Sequence, residues 1–227
     1  LEAEGVTAGG LVAIALPRGV NYVAAILAAH RLRAAYLPLD VSNSEERQRN
    51  VLIAANPTCV LHDGAFSGAL PDVLVSGQGV GSEPWQPTSL PGIHATKSDD
   101  IAYTIFTSGT TAQPKGAGIT KGQLAASIHG REIVYDKAPK RFVMPSSFAF
   151  DSSMVGLFWT LSKGGTLVLP TEEQAHAPEA LTVLLADEKA THVLLVPTLY
   201  SVLLDQKQRK SLLHWPDHVI LAGEAFP

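Results

Sequence analysis

The densest run of chemistry-bearing residues in this 227-residue chain is Thr107-Ser-Gly-Thr-Thr-Ala-Gln-Pro-Lys-Gly116. It places four hydroxyl-bearing residues, two glycines and one lysine within ten positions. Hydroxyls and open backbone N–H groups are good donors to phosphate oxygens. Gly109 lets the backbone approach an oxyanion with no Cβ in the way. Lys115 adds a mobile positive charge, and Pro114 stiffens the approach to it. Two other readings compete. A Walker loop also joins a strand to a helix, but it requires Gly-Lys-Ser/Thr at the helix start. Here the order is Pro-Lys-Gly with no hydroxyl after the lysine, so that reading fails. The other is a plain surface turn rich in Ser, Thr and Gly, which residue types alone leave open.

A second candidate is Asp151, in Ser147-Phe-Ala-Phe-Asp-Ser-Ser153. A carboxylate facing an ammonium in a partly desolvated pocket is a sound pairing. The competing reading is an exposed aspartate that caps the helix after it. Ser152 and Val155 follow Asp151 at i+1 and i+4, where a helix start brings them toward one side of a cavity. Phe148 and Phe150 fit either a pocket wall or ordinary core. The turn Ala222-Gly-Glu-Ala-Phe-Pro227 carries little information by itself.

These residues need elements to hold them. Continuous apolar runs at 11–16, 35–39, 58–61, 73–75, 100–106, 141–144, 166–169, 191–196 and 218–221 read as strands. Between them fall helical stretches that begin after Asn21, after Ser42, at Lys121, at Met154, at Pro178 and at Leu199. In particular, the phosphate-type loop is expected to lead from a strand into the helix that begins at Lys121. Strands alternating with helices argue for α/β architecture with two successive, mostly parallel sheets flanked by helices. We place the seam near residue 135, giving one unit over 1–135 and a partial second unit over 136–227. Residues 63–98, rich in Gly, Pro and Ser, read as a surface connection.

Composition narrows the classes. A net charge of −4 gives no electrostatic footprint for nucleic acid or an anionic membrane. No apolar run reaches the roughly 18 residues of a membrane span. Cys59 is the sole cysteine, which excludes an intramolecular disulfide framework and a cysteine-rich metal site, and the eight histidines show no ligand-like spacing. No metal-ligating residue is therefore expected. A soluble, cytoplasmic enzyme or enzyme piece is the expectation.

The loop resembles the T-S-G-[ST]-T-G-x-P-K-G motif of the adenylate-forming superfamily, matching at nine of ten positions. The exception is Ala112, where the pattern has glycine. The resemblance implies that Thr107, Ser108, Gly109, Thr110, Thr111, Lys115 and Gly116 hold the phosphates of ATP, with Mg2+ as cofactor. Lys115, Thr110 and Thr111 would then be the catalytic residues. Arg33-Ala-Ala-Tyr-Leu-Pro-Leu-Asp40 is similar to the G-A-A-Y-[VL]-P-[LI]-D stretch of nonribosomal peptide synthetase adenylation domains, with Arg33 replacing glycine. Phe150-Asp-Ser-Ser153 resembles the F-D-x-S motif of amino-acid-activating domains, which implies that Asp151 pairs with a substrate α-ammonium. By the same analogy Phe150, Ser152, Val155, Leu194, Ile220 and Ala222 would line the substrate pocket. The final turn resembles G-G-E-A-L-P, with Ala222 in place of the first glycine, which implies that Gly223, Glu224 and Ala225 contact the nucleotide.

What the resemblance implies is a ligase that converts an amino acid and ATP to aminoacyl-AMP and pyrophosphate, then passes the aminoacyl group to a thiol. That thiol would sit on the phosphopantetheine arm of a carrier protein, among neighbouring synthetase domains. An acyl- or aryl-CoA synthetase relative, and a non-catalytic nucleotide-binding or interaction fragment, are the alternatives. The family's N-x-Y-G-P-T-E and Y-x-T-G-D stretches and its C-terminal lysine have no counterpart here. The chain is thus expected to be a fragment of the large N-terminal subdomain, too slow to adenylate alone.

Overall fold

The structure is a computed structural model that describes residues 1–63, 75–76, 95–107, 114–210 and 214–225. It is α/β, with two mostly parallel sheets flanked by helices. The chain packs as two compact units, Leu1–Ala126 and Ser127–Pro227. The division falls within the helix Lys121–Val134.

After a short 3-10 turn at Glu2–Glu4, the first unit runs β1 (Leu11–Ala15), α1 (Val20–Arg31), β2 (Ala35–Pro38), α2 (Glu45–Ala55), β3 (Cys59–His62), β4 (Val75–Ser76), β5 (Ile101–Thr107) and β6 (Lys115–Thr120). Helix α3 (Lys121–Val134) follows. The sheet order is β4-β3-β1-β2-β5-β6. Strands β1 to β5 are parallel where they pair, and only β6 is antiparallel. Val12 to Ala15 are buried because β1 is central and covered on both faces, as the unbroken apolar run requires. Helix α1 starts after Gly19 rather than Asn21. Helix α2 begins at Ser44, whose hydroxyl accepts from the Arg47 N–H, and stops at Asn56, which takes a left-handed φ of 45° before Pro57.

Arg33 also sits at a positive φ, 58°, a conformation that favours glycine. Its guanidinium forks onto Asp100, Nε to Oδ2 and Nη2 to Oδ1, both at 2.9 Å. That pair accounts for an arginine where the family pattern has glycine: the side chain fastens the end of α1 to the residue just before β5.

The expectation that the phosphate-type loop leads straight into a helix is corrected. Strand β6 intervenes and folds back antiparallel on β5. Its sequence, Lys-Gly-Ala-Gly-Ile-Thr, has little strand propensity, and its first four residues are exposed on the sheet edge.

The second unit runs β7 (Arg141–Val143), α4 (Ser152–Ser162), β8 (Thr166–Val168), α5 (Glu172–His176), α6 (Pro178–Asp187), β9 (His192–Leu195), α7 (Pro197–Lys210) and β10 (His218–Leu221). All four strands are parallel, in the order β10-β9-β7-β8. Alternate residues face opposite sides. Val143, Val168, Val193, Leu195, Val219 and Leu221 pack with Leu181 and Leu185 of α6 and Leu203 of α7. Phe142, Met144, His192, Leu194, His218 and Ile220 face the other side, where α4 lies. Gly156 of α4 permits this close approach, since a Cβ there would stand 2.8 Å from the Phe142 ring and 3.3 Å from the Met144 sulfur.

Candidate functional site

The two ends of the phosphate-type loop are held by the β5–β6 hairpin. Thr107 is the last residue of β5 and pairs in register with Lys115, the first of β6. Phe106, one step before the loop, packs on the core formed by Ala13, Ala15, Leu37, Leu39, Val51, Leu52 and Val60. Its ring occupies the space beside Gly116, where a Cβ would meet Phe106 Cζ at 2.9 Å and Thr104 Cγ2 at 3.1 Å. Gly116 is therefore demanded by packing at the loop's exit. Lys115 is exposed there. Ser108, Gly109, Thr110 and Thr111, and with them Ala112, lie outside the described residues.

The second sheet supplies a different kind of site. Its order means that the chain leaves β7 to one side for β8, then crosses back to the other side for β9. In open parallel sheets, ligands bind outside the carboxyl ends of the strands where such a reversal occurs. Here that crevice lies between β7 and β9, and the loop that follows β7 carries Asp151. The loop is tightly built. Phe150 N–H donates to the Ser147 carbonyl at 3.2 Å, Ala149 N–H to Ser147 Oγ at 3.2 Å, and buried Ser153 Oγ to the Phe150 carbonyl at 2.6 Å. Asp151 stands at the N-cap position of α4, yet its carboxylate makes no capping hydrogen bond. The capping reading fails: Asp151 is exposed and its charge is not spent on its own helix.

Around Asp151, Phe150 is exposed and Phe148 is buried. Ser152 and Val155 are half-buried in the first turns of α4. Leu194 is buried in β9, and its parallel partner Ile220 is half-buried in β10. By strand parity both face the α4 side, so the fold brings Asp151, Ser152, Val155, Leu194 and Ile220 to one face of one sheet. Phe150 points outward rather than into the core. Ala222 continues from β10, its N–H donating to the Leu195 carbonyl at 3.1 Å.

The turn after β10 lies beside the same crevice. Gly223 takes a φ of 92°, and a Cβ there would come within 3.3 Å of Val196 Cγ1. Glu224 and Ala225 are exposed. The Glu224 carboxylate reaches the first turn of α7, where one oxygen accepts from Thr198 Oγ1 at 2.5 Å and from the Thr198 N–H at 3.1 Å. These two donors hold its pKa below the ordinary glutamate value. Sequence reading passed over Thr198. The available signal was a threonine directly after Pro197 at a strand–helix junction, a common place for an end-of-helix hydrogen bond.

The first sheet has the same kind of reversal, between β1 and β3. A cleft of about 360 Å3 opens there, lined by Leu16–Asn21 and Asp63. None of the sequence candidates lies in it.

Comparison with known proteins agrees with this geometry. A family model described as AMP-binding enzyme matches residues 1–227. Gramicidin S synthase 2 of Brevibacillus brevis is 34% identical over 233 residues, an alignment that takes in 100% of this chain and 5% of the synthase. Tyrocidine synthase 3 of Brevibacillus parabrevis is 33% identical over 213 residues, 90% of this chain and 3% of that synthase. The chain thus spans a small part of the relatives it matches. Among solved structures, the AMPPNP-bound nonribosomal peptide synthetase FmoA3 has the same fold, with a TM-score of 0.82 at 24% identity over 99% of this chain and 24% of that one. CmiS6 gives a TM-score of 0.79 at 26% identity over 100% of this chain and 55% of that one.

Proposed function

The chain belongs to the AMP-binding enzyme family, and from that premise we propose that it is the amino-acid-activating part of a nonribosomal peptide synthetase. One observation carries the choice of substrate: Asp151 presents a carboxylate at the reversal point of the second sheet and leaves it uncommitted to the helix it precedes. An ammonium is its natural partner in a partly desolvated crevice. Leu194, Ile220, Val155 and Ala222 would line the rest of the pocket with apolar or small side chains, which would favour an amino acid with an apolar or small side chain.

In the proposed reaction an oxygen of the amino-acid carboxylate attacks the α-phosphorus of ATP. The bond from that phosphorus to the bridging α–β oxygen breaks and pyrophosphate leaves, giving aminoacyl-AMP. The protein's work is positioning and charge neutralisation. Lys115 at the exit of the hairpin, with Thr110 and Thr111 in the loop, would hold the departing phosphates, while Thr107, Ser108, Gly109 and Gly116 complete the cradle. Asp151 would fix the ammonium, and the exposed backbone of Gly223, Glu224 and Ala225 would lie against the nucleotide.

Mg2+, when bound, neutralises charge on the triphosphate and would enter on the nucleotide's own oxygens. Among the described residues no group of three or more His, Cys, Asp or Glu is placed to hold a metal ion. A carrier-protein thiol would then attack the aminoacyl carbonyl carbon and release AMP. The setting proposed for this assembly is cytoplasmic; no described helix is long and apolar enough to cross a membrane.

The test is ATP–pyrophosphate exchange by the synthetase that carries this chain, scanned over amino acids and over the same acids lacking the amine. Exchange confined to the amino acids supports the proposal. Equal exchange with the deaminated acids would instead indicate an acyl- or aryl-CoA synthetase.

A further inference from the structure

The turn Gly223–Ala225 is exposed, short and built on a glycine with positive φ, so its conformation needs something to hold it still. Its anchors come from the segment that follows β9. The Ala222 N–H continues the ladder to Leu195, Gly223 rests close to Val196, and the Glu224 side chain crosses to Thr198. Both Thr198 donors converge on one carboxylate oxygen, so the tether fixes the direction of the Glu224 side chain and with it the backbone that bears it. We infer that Thr198 is a positioning residue for nucleotide binding, which sets the turn's conformation by strapping Glu224 to the start of α7. This inference rests on the adenylation reading for what the turn touches, and it adds a residue that makes no nucleotide contact itself.

The physical basis is preorganisation. A turn ordered before the ligand arrives does not spend binding free energy on its own ordering. The helix start also favours a negative charge, so the carboxylate remains ionised and the strap persists. A valine at position 198 keeps the shape and the N–H but loses the shorter of the two hydrogen bonds. A serine keeps both.

The experiment uses the synthetase that carries this chain, AMP as the probe, and the variants T198V, T198S and S201A. Ser201 Oγ donates to the Pro197 carbonyl at 3.2 Å, so S201A loosens the same helix start without touching Glu224. Calorimetry should show AMP affinity weakened about tenfold in T198V and unchanged in T198S and S201A. In parallel, a carbon-13 titration of Glu224 should move up toward the ordinary glutamate value in T198V alone. If the wild-type synthetase does not bind AMP, the adenylation reading falls and this inference falls with it. If the wild type binds and T198V binds equally well, or S201A weakens binding as much as T198V, the inference alone is overturned. A Glu224 titration unmoved by T198V overturns it as well.

Discussion

The four core strands of each unit follow the same plan: β4-β3-β1-β2 in the first sheet and β10-β9-β7-β8 in the second. Each plan creates a reversal and therefore a crevice beyond the strand ends. The two crevices are furnished differently. In the second sheet the loop at the reversal carries Asp151, with apolar and small residues beside it. In the first, the cleft of about 360 Å3 holds none of the candidates, and the described ends of the phosphate-type loop, Thr107, Lys115 and Gly116, lie instead on the strand pair at the sheet's far edge. Topology supplies the crevice, and residues decide whether it is used. A phosphate loop needs close donors and fixed ends, which a hairpin provides. An ammonium pocket of the kind proposed would need a charge held near apolar walls, which the carboxyl ends of the central strands β7 and β9 could provide.

The sharpest way to separate the two units is pH. His192 is buried on the α4 side of the second sheet, between Phe142 and His218 and edge-on to Trp159. Burial, and then the neighbouring His218, lower its pKa to about 4. Lys137, Asp136 and Asp217 also act on it, each in the opposite sense. The unfolded chain takes up that proton near pH 6.5 and the folded one does not, so stability falls as pH drops from about 6.5 to about 4. The loss from His192 should approach about 3 kcal/mol in urea unfolding, fall in the second unit by hydrogen exchange and vanish in H192F, while His30 of the first unit, its pKa also lowered by burial, adds a smaller loss of the same sign there. Equal loss of protection in the first unit would break the contrast.

Next in size is Gly156→Ala. Phe142, fully buried, has no room to yield to a Cβ at 2.8 Å. The variant should lose about 2 kcal/mol in urea unfolding and weaken amino-acid recognition, because α4 bears Ser152 and Val155. Gly116→Ala, the matching change in the first unit, meets the far end of the half-buried Phe106 ring and the Thr104 methyl at 3.1 Å, side-chain atoms on an exposed sheet edge that can yield. It should cost about 1 kcal/mol and weaken ATP binding more than amino-acid binding, as titration with each ligand can show. The smallest effect is expected from Arg33→Gly, which relieves the positive φ but removes the fork onto Asp100. Thermal unfolding should shift by less than about 3 °C, and more at low salt than at high salt.

Strand positions were largely legible because buried parallel strands are unbroken apolar runs: Leu11–Ala15 and His192–Leu195 could hardly be read otherwise. Strand β6 was not, since an exposed antiparallel edge rich in glycine has no hydrophobic pattern to give it away. Helix α7 begins two residues before Leu199 and runs on to Lys210 through a polar stretch that looks like its end. Asp151 was legible as a carboxylate at a loop–helix junction, but whether it capped the helix was a matter of geometry. Thr198 escaped because its partner lies 26 residues away on another loop. Contacts of that kind become visible only when the sheet order sets two loops side by side.

The pairing of Asp151 with the substrate ammonium is tested most directly by amino-acid-dependent ATP–pyrophosphate exchange in the Asp151→Ala variant of the synthetase that carries the chain, with ATP affinity measured alongside. Exchange should fall by about a hundredfold while ATP affinity stays within about twofold of wild type. Unchanged exchange would contradict the assignment of Asp151 to the ammonium.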